Sequence, residues 1–211
     1  NGSLTTTSDY AYDSYGNIKT QTLGGLGIPG NTSRVTVYEY AYEKDGTTYS
    51  EMTAGNMVGI PVETRTYRNS ANPADLLTTQ ATAFGKYPRG ASSSAGFFFA
   101  PSSRSLTVKG NPGTERMITI NAYDYRGNIL EATGLDGQKT VWLWGYGGTH
   151  PVARVQGSSW SGIKAYADTS ALNTGQASAI ASKLSSFRNR FTANAGVHVT
   201  TMTWKPLSGV A

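Results

Sequence analysis

The sequence predicts an all-β protein built of antiparallel hairpin repeats, with one short amphipathic helix near residues 174–191. Three observations lead to this fold class. A turn signal of the form Ala-Tyr-acid-x-x-Gly recurs at residues 11–16, 41–46 and 122–127. Residues 139–146 alternate between two side-chain sets, which is typical of a strand. Only residues 168–192 change to helical spacing.

The clearest segment is residues 122–146, which predict strand, turn, strand, turn and strand. Asp124 and Gly127 occupy the first and last positions of a type I turn. The dipeptide Asp136-Gly137 supplies the positive φ that a tight hairpin requires. This segment therefore predicts a three-stranded antiparallel meander.

The same opening occurs twice more along the chain. Residues 11–18 match residues 122–129 at six of eight positions, and residues 41–47 keep the Ala-Tyr-acid-x-x-Gly frame. Each copy predicts one hairpin, and hairpins added in series form a long antiparallel sheet.

The remaining elements follow from alternation and turn residues. Strands are predicted in the hairpin 4–23 and at 34–42, 47–52, 57–67, 76–84, 152–155 and 197–204, with Pro61 at a bulge or an edge. Residues 85–104, rich in Gly, Pro and Ser, predict a long loop.

The helix is predicted from the apolar positions Leu172, Ile180, Leu184, Phe187 and Phe191, which form one stripe. Asn173 or Thr174 is expected to cap its start, and Gly196 to end it. We interpret 168–192 as a helical insertion that lies on the sheet, with Lys183, Arg188 and Arg190 in solvent.

The ordered motifs resemble the YD-repeat proteins of the Rhs (rearrangement hot spot) family. The resemblance rests on Tyr-Asp-x-x-Gly-Asn at 12–17 and 123–128, followed by Asp136-Gly137 and the aromatic strand. The segments WLWGY at 142–146, HPVARV at 150–155 and VTTMTWKPLSGV at 199–210 are similar to a surface-protein branch of that family in Gram-negative bacteria. The resemblance covers residues 115–211 best. It implies a β-rich repeat segment of a large secreted or surface protein, which in toxin-bearing members encloses a cavity.

The amino-acid composition indicates which class of protein this is. Of 211 residues, 38% are hydrophobic and 15% charged, with 25 Gly and 13 Tyr. This balance favours an extracellular β protein.

The net charge of +5 comes from scattered Lys and Arg with no basic run, so no nucleic-acid partner is predicted. The absence of Cys excludes disulfides, thiol catalysis and cysteine zinc sites. No apolar run reaches the ~18 residues of a membrane-spanning helix.

No catalytic, cofactor-binding or metal-binding residues are predicted. Gly25, Gly27 and Gly30 fit G-x-G-x-x-G, but strand-like residues follow where a dinucleotide site needs a helix, so a flexible loop is favoured. His150 and His198 have no companion nucleophile or ligand in sequence, which favours surface or structural roles.

The acids Asp13, Glu43, Asp124 and Asp136 recur at turn starts, where calcium ligation and turn capping are the alternatives. The chain contains no D-x-[DN]-x-[DN]-G loop, so turn capping is favoured.

Two aromatic features have both a structural and a binding interpretation. Trp142, Trp144 and Tyr146 share one strand face and could stack on sugars, but an interior role is favoured and predicts a largely buried Trp142. Phe97–Phe99 could form a binding tip, but an exposed triplet would promote aggregation, so we expect one or two of these rings to close the end of a β core.

These interpretations predict a non-enzymatic scaffold. Residues 1–211 are expected to form a single β-rich repeat segment that is a fragment of a larger YD-repeat protein. Where the parent protein carries a passenger toxin, the segment is expected to be part of the shell around it. The alternative is a surface adhesin or carbohydrate-binding module using the aromatic strand face.

The expected location is extracellular or the bacterial cell surface, with no cofactor. The expected partner is protein: the rest of the parent chain, or a chain that pairs with the sheet edges. Association with the outer membrane or secretion machinery is left open.

Overall fold

The computed structural model describes residues 5–28, 31–90, 93–111, 113–173, 177–191 and 196–204. In this part of the chain, eleven strands form a sheet in which each strand lies next to its sequence neighbours, β1 to β11 in order. The strands are β1 Thr7–Tyr12, β2 Ile18–Ile28, β3 Asn31–Tyr40, β4 Pro61–Arg68, β5 Leu76–Pro88, β6 Phe97–Val108, β7 Thr114–Tyr123, β8 Ile129–Gly134, β9 Lys139–Gly145, β10 His150–Gln156 and β11 His198–Thr201.

The all-β prediction is confirmed, but the prediction of one helix is wrong. The described residues contain four α-helices: α1 Thr47–Ala54, α2 Trp160–Ile163, α3 Thr169–Leu172 and α4 Ala177–Phe191. Gly30, Thr174 and residues 205–210, on which some predictions rest, lie outside the described residues. The chain divides into two compact units, residues 1–86 with 99–117, and residues 87–98 with 118–211.

The first unit begins with the predicted hairpin of β1 and β2. The next predicted strand pair is wrong, because residues 47–52 belong to helix α1 instead of a strand. Thr and Tyr favour strands, but Tyr49 and Met52 are three positions apart and share one helix face. Met52 is fully buried beside Ala41 and Val62, so tertiary packing overrides local propensity here.

The predicted strand 57–67 begins later, at Pro61, where the pairing with β3 shifts register. This shift places Pro61 at the irregularity expected for a residue without a backbone N–H. The predicted loop 85–104 is wrong, because β5 continues to Pro88 and β6 begins at Phe97. Between the two strands, Ser93–Ala95 form a short 3-10 turn.

Four charged side chains join β3 and β4 in the first unit. Glu39 and Glu63 are direct cross-strand partners, a like-charge pair that is destabilising by itself. Lys44 lies 3.3 Å from Glu39 and 3.0 Å from Glu63, and Arg65 lies 2.9 Å and 2.5 Å from the same two carboxylates. Each cation thus bridges both acids, which offsets their repulsion.

The second unit contains the predicted meander of β7, β8 and β9, followed by β10, the helices and β11. The core is formed where helices α2, α3 and α4 pack on β9 and β10. Its fully or nearly fully buried members include Val141, Leu143, Val155, Ile163, Leu172, Ile180 and Leu184. The predicted inward positions of α4 are confirmed for Ile180, Leu184 and Phe187, while Phe191 is partly buried. Lys183, Arg188 and Arg190 are exposed as predicted.

The helical stretch begins at Trp160, earlier than the predicted residue 168. Sequence spacing missed α2 and α3 because each has only four residues, too few to establish a period. Leu172 belongs to α3, where Asn173 is the C-cap residue and does not start α4.

Glycine at position 145 allows α3 to approach β9. A Cβ there would lie 2.7 Å from Val152 Cγ1 and 2.9 Å from the carbonyl oxygen of Leu172. The backbone N–H of Tyr146 donates to that same carbonyl at 2.9 Å. A side chain at Gly145 would therefore separate the helix from the strand that it covers.

The core contact of α4 can be tested by Ile180→Ala. Ile180 is fully buried in the second unit's core. We therefore expect the variant to lose about 2–5 kcal/mol of unfolding free energy, measured by urea denaturation. The exposed Ser182→Ala on the same helix serves as the control and should change little. Equal, small effects in both variants would contradict the packing described for α4.

Asp168 gives a pH dependence with a defined sign. Its carboxylate caps α3 by accepting from the Ala171 N–H, and it also binds Lys183 and Ser170. Together these contacts lower the pKa of Asp168 to about 2. The stabilisation is complete above the ordinary pKa of 3.8 and falls as the pH drops from there toward 2.

The unfolding free energy of the wild type should therefore exceed that of Asp168→Asn at pH 6. This margin should be smaller at pH 2.5. Denaturant unfolding of both proteins at the two pH values measures this margin. The same margin at both pH values would show that the carboxylate charge contributes nothing.

Candidate functional site

The two Tyr-Asp-x-x-Gly-Asn motifs form the same hydrogen-bonded turn, here called the Asp–Asn clamp. In the second unit, Asp124 Oδ1 accepts from the backbone N–H groups of Arg126 at 2.9 Å and Asn128 at 2.8 Å. Asp124 Oδ2 accepts from Asn128 Nδ2 at 2.9 Å. The Asp side chain thus satisfies the inside of the turn, as predicted for a capping acid.

The clamp in the first unit repeats this geometry. Asp13 Oδ1 accepts from the N–H groups of Tyr15 at 2.8 Å and Asn17 at 2.9 Å, and Asp13 Oδ2 accepts from Asn17 Nδ2 at 3.2 Å. Gly16 and Gly127 have φ values of 82° and 91°. The two glycines therefore occupy equivalent positions with positive φ, a conformation that favours glycine.

Each clamp also binds a segment far away in sequence. Asn17 Nδ2 donates to the carbonyl oxygen of Val58 at 3.0 Å, and Asn128 Nδ2 donates to that of Gly148 at 2.8 Å. The Asn residue therefore connects its turn to the loop that lies beside it. This second contact uses the side-chain amide N–H of Asn, a donor that Gly, Pro and Asp do not have in their side chains.

The first clamp contains an additional tyrosine. The Tyr42 hydroxyl donates to Asp13 Oδ2, and the Tyr42 ring contacts that of Tyr15 with centroids 4.7 Å apart. Burial, together with the Asp13 carboxylate, raises the pKa of Tyr42. For Asp13 itself, burial would raise the pKa, but the hydrogen bonds from Tyr42, Asn17 and Tyr15 outweigh it and lower the pKa.

The third copy of the frame, at residues 41–46, does not form a hairpin, and this prediction is wrong. Its acid is Glu43, and the residue four positions later is Thr47, so the Asp and Asn of the clamp are both missing. Glu43 instead accepts from the N–H of Tyr40 at 2.9 Å and forms an ion pair with Lys19. Residues 41–43 consequently form a 3-10 turn that leads toward α1.

The aromatic face of β9 is the less buried of its two faces. Trp142 and Trp144 are of intermediate exposure, so a largely buried Trp142 stays a prediction. The buried face of β9 is the other one, with Val141 0% and Leu143 1% exposed, because the helices cover that side.

The polar atoms of Trp144 and Tyr146 bind backbone groups of the same unit. Trp144 Nε1 donates to the carbonyl of Ile129 at 2.9 Å, and the Tyr146 hydroxyl donates to that of Trp204 at 3.0 Å. These contacts favour a structural role for the face over a sugar platform.

The Phe97–Phe99 triplet alternates between solvent and interior. Phe97 is exposed, whereas Phe99 packs against the Met52 cluster of the first unit. In the second unit Phe98 lies 5.7 Å from Tyr87 and 6.0 Å from Tyr123, centroid to centroid. Burial, with a smaller effect of Tyr87, raises the pKa of Tyr123 to about 12. Two of the three rings therefore belong to packed clusters.

The other candidate residues remain separate. His150 and His198 are exposed on the surface. No group of three or more His, Asp or Glu that could hold a metal occurs in the part of the chain that the structure describes. Gly25 and Gly27 have positive φ within β2 and continue a strand, so the predicted flexible loop is wrong at these two residues. No described helix is long and apolar enough to span a membrane.

Sequence reasoning missed Glu131, which organises the start of the helical cover. This carboxylate is 6% exposed and accepts from the Trp160 N–H at 2.7 Å, while Lys139 lies 3.1 Å from its other oxygen. A buried charge needs such partners. An acid in an alternating strand carried no sequence signal, because its partner Trp160 is 29 residues away.

Glu131 thereby places Trp160 beside a cleft of about 300 Å³ in the second unit, here called the aromatic cleft. Its lining includes Tyr125, Arg126, Leu130, Trp144, Trp160 and Asn173. Two of these lining residues, Tyr125 and Arg126, belong to the second clamp. They occupy the positions at which the two motifs differ. The sequence analysis identified neither the cleft nor Arg126 as part of a site.

The described fold is that of an all-β protein of serial antiparallel hairpins with helices packed on β9 and β10. The chain matches no protein-family model, and the comparison with curated proteins gives no match. The resemblance to YD-repeat proteins therefore stays a prediction.

The importance of the clamp can be tested by Asn17→Ala and Asn128→Ala. Each change removes two hydrogen bonds of a partly buried amide and leaves a distant carbonyl without this donor. We therefore expect a loss of about 1–3 kcal/mol in unfolding free energy, measured by chemical denaturation. Ser14→Ala, at an exposed position in the first turn, is the matched control. Loss of stability no larger than the control's would contradict the clamp's role.

Proposed function

We propose that this chain is a structural, non-enzymatic segment of a large secreted or cell-surface YD-repeat protein, in which its hairpins extend a sheet that continues in the parent chain. The observation that carries this proposal is the Asp–Asn clamp, which occurs in both motif copies with the same hydrogen bonds. A motif whose Asp, Gly and Asn hold the same turn in both copies is suited to building a sheet.

Serial strand order supports the proposal. Every strand from β1 to β11 in the described residues lies beside its sequence neighbours, so the sheet grows by adding hairpins at its ends. Such growth requires no rearrangement of strands already placed. A wall around a passenger, as in toxin-bearing members of the family that the sequence resembles, is one use of a sheet of this kind.

The first strand supports a protein partner at the sheet edge. All six residues of β1 are exposed, and among the described strands β1 pairs only with β2. Tyr10 and Tyr12 are 46% and 62% exposed. An edge that offers free backbone groups and large aromatic side chains can accept another strand. The partner in this proposal is the remainder of the parent chain or a chain that adds a strand.

The alternative of a surface adhesin or carbohydrate-binding module has less support, because Trp144 and Tyr146 bind backbone groups and Trp142 is half-buried. This alternative becomes the preferred function if the edge of β1 does not pair with another strand.

The edge proposal can be tested by comparing self-association of the 211-residue chain with that of Ser8→Lys/Tyr10→Lys. Charged residues on an edge strand oppose strand addition. We expect wild type to associate with increasing concentration in analytical ultracentrifugation, and the double variant to associate less. Hydrogen exchange should show slowed amides in β1 at high concentration.

The control is Ser182→Lys/Ser185→Lys, which adds the same charge at exposed positions of α4. A wild-type chain that stays monomeric, with fast-exchanging β1 amides and one sharp unfolding transition, would overturn the sheet-segment function in favour of the binding module. Equal loss of association in the control would assign the effect to net charge.

A further inference from the structure

We propose that the aromatic cleft of the second unit binds the carboxylate of a small apolar acid, with Arg126 as the anion-binding residue. This inference is independent of the sheet-segment function, because it concerns one cleft and no sheet edge. It depends on three features: a cation without an acidic partner, a fixed position for that cation and an apolar space beside it.

Arg126 has no carboxylate partner among the ion pairs of the described residues. The nearest acid in sequence, Asp124, uses both oxygens within the clamp, where they accept from Arg126 and Asn128 backbone groups and from the Asn128 side chain. Asp124 also lines the cleft, but these three hydrogen bonds hold its carboxylate within the turn, and it forms no ion pair with Arg126. A guanidinium without a partner can form two parallel hydrogen bonds with a carboxylate.

The surroundings of Arg126 hold its side chain in place. The guanidinium carbon lies 5.2 Å from the centre of the Tyr125 ring, a cation–π contact. A Cβ at residue 148 would collide with the guanidinium, so glycine there leaves the space that the arginine occupies. The Asn128 contact to the Gly148 carbonyl fixes the same loop. Arg126 therefore loses less conformational freedom on binding an anion than a free surface arginine does.

The space beside Arg126 is mostly apolar. Leu130, Trp144 and Trp160 line it, and Trp144 already donates its indole N–H to Ile129. Asn173 Nδ2 is also used, donating to the Thr169 carbonyl at 2.8 Å. Asp124, Tyr125 and Thr169 add polar groups to the lining, while Leu130, Leu143, Trp144 and Trp160 form the apolar surface that would contact the body of the acid. The cleft volume of about 300 Å³ is at the lower end for ligand sites, so the occupant is small.

This chemistry is shared by a free aromatic or aliphatic acid and by the C-terminal residue of a peptide with an apolar side chain. Both present one carboxylate next to an apolar group. The two sources differ in whether a preceding peptide bond contributes to binding.

The test is titration of the whole 211-residue chain with phenylacetate and with its neutral analogue phenylacetamide, followed by tryptophan fluorescence and by amide and arginine side-chain NMR signals. We expect saturable binding of the acid and at least about tenfold weaker binding of the amide, because the charge-assisted hydrogen bonds are lost. This acid–amide pair needs no variant and so does not depend on the folding of any.

Arg126→Gln should weaken phenylacetate binding by about tenfold or more, and Arg126→Lys by less, because lysine keeps the charge without the planar fork. Arg188→Gln, which removes an equal charge from an exposed position of α4, should bind as wild type does. An acetylated tripeptide ending in a free phenylalanine carboxylate distinguishes the sources: tighter binding than phenylacetate identifies a chain terminus, and weaker or equal binding identifies a small acid.

Three results would overturn the proposal. The first is equal affinity for phenylacetate and phenylacetamide. The second is unchanged binding in Arg126→Gln with wild-type thermal unfolding. The third is tighter binding of glucuronate than of phenylacetate, which would assign the cleft to acidic sugars.

Discussion

The hydrogen bonds between Asp and Asn of the repeated turn are the interaction on which both units depend. One carboxylate satisfies two backbone N–H groups inside the turn, and one amide joins that turn to a loop 20 or 41 residues away. A single short motif therefore fixes local and long-range structure together. This combination matters in a sheet of serial hairpins, where the order of the strands alone does not fix each turn to the loop beside it.

The fold could be predicted from sequence where local chemistry decides it. The turns at Asp13 and Asp124 form as expected because Asp, Gly and Asn lie close together along the chain. The inward stripe of α4 was also predictable, since this helix has 15 residues, which is long enough to show its period. In these segments the local structure follows from residues that are neighbours in sequence.

Predictions failed where distant contacts decide the structure. Helix α1 forms because Met52 is buried beside residues from β4 and from the 3-10 turn, although its Thr and Tyr residues favour a strand. Residues 85–104 look like a loop because they are rich in Gly, Pro and Ser, although β5 and β6 extend into both ends of this stretch. At β9 the alternation was correct, but the sequence did not show that Val141 and Leu143 form the more buried face, because the helices that cover them come from later in the chain. The aromatic cleft was invisible for the same reason.

The hydrogen bonds of the clamp do not use the side chains of the two residues between Asp and Gly. They are Ser14 and Tyr15 in one copy and Tyr125 and Arg126 in the other. Mutation at these positions can therefore alter the surface chemistry of a hairpin while its backbone geometry persists. A protein with many such turns can diversify its outer face one hairpin at a time, in the way that antibody loops vary on a constant framework. Selection for new contacts and selection for folding then act on separate residues of the same short motif.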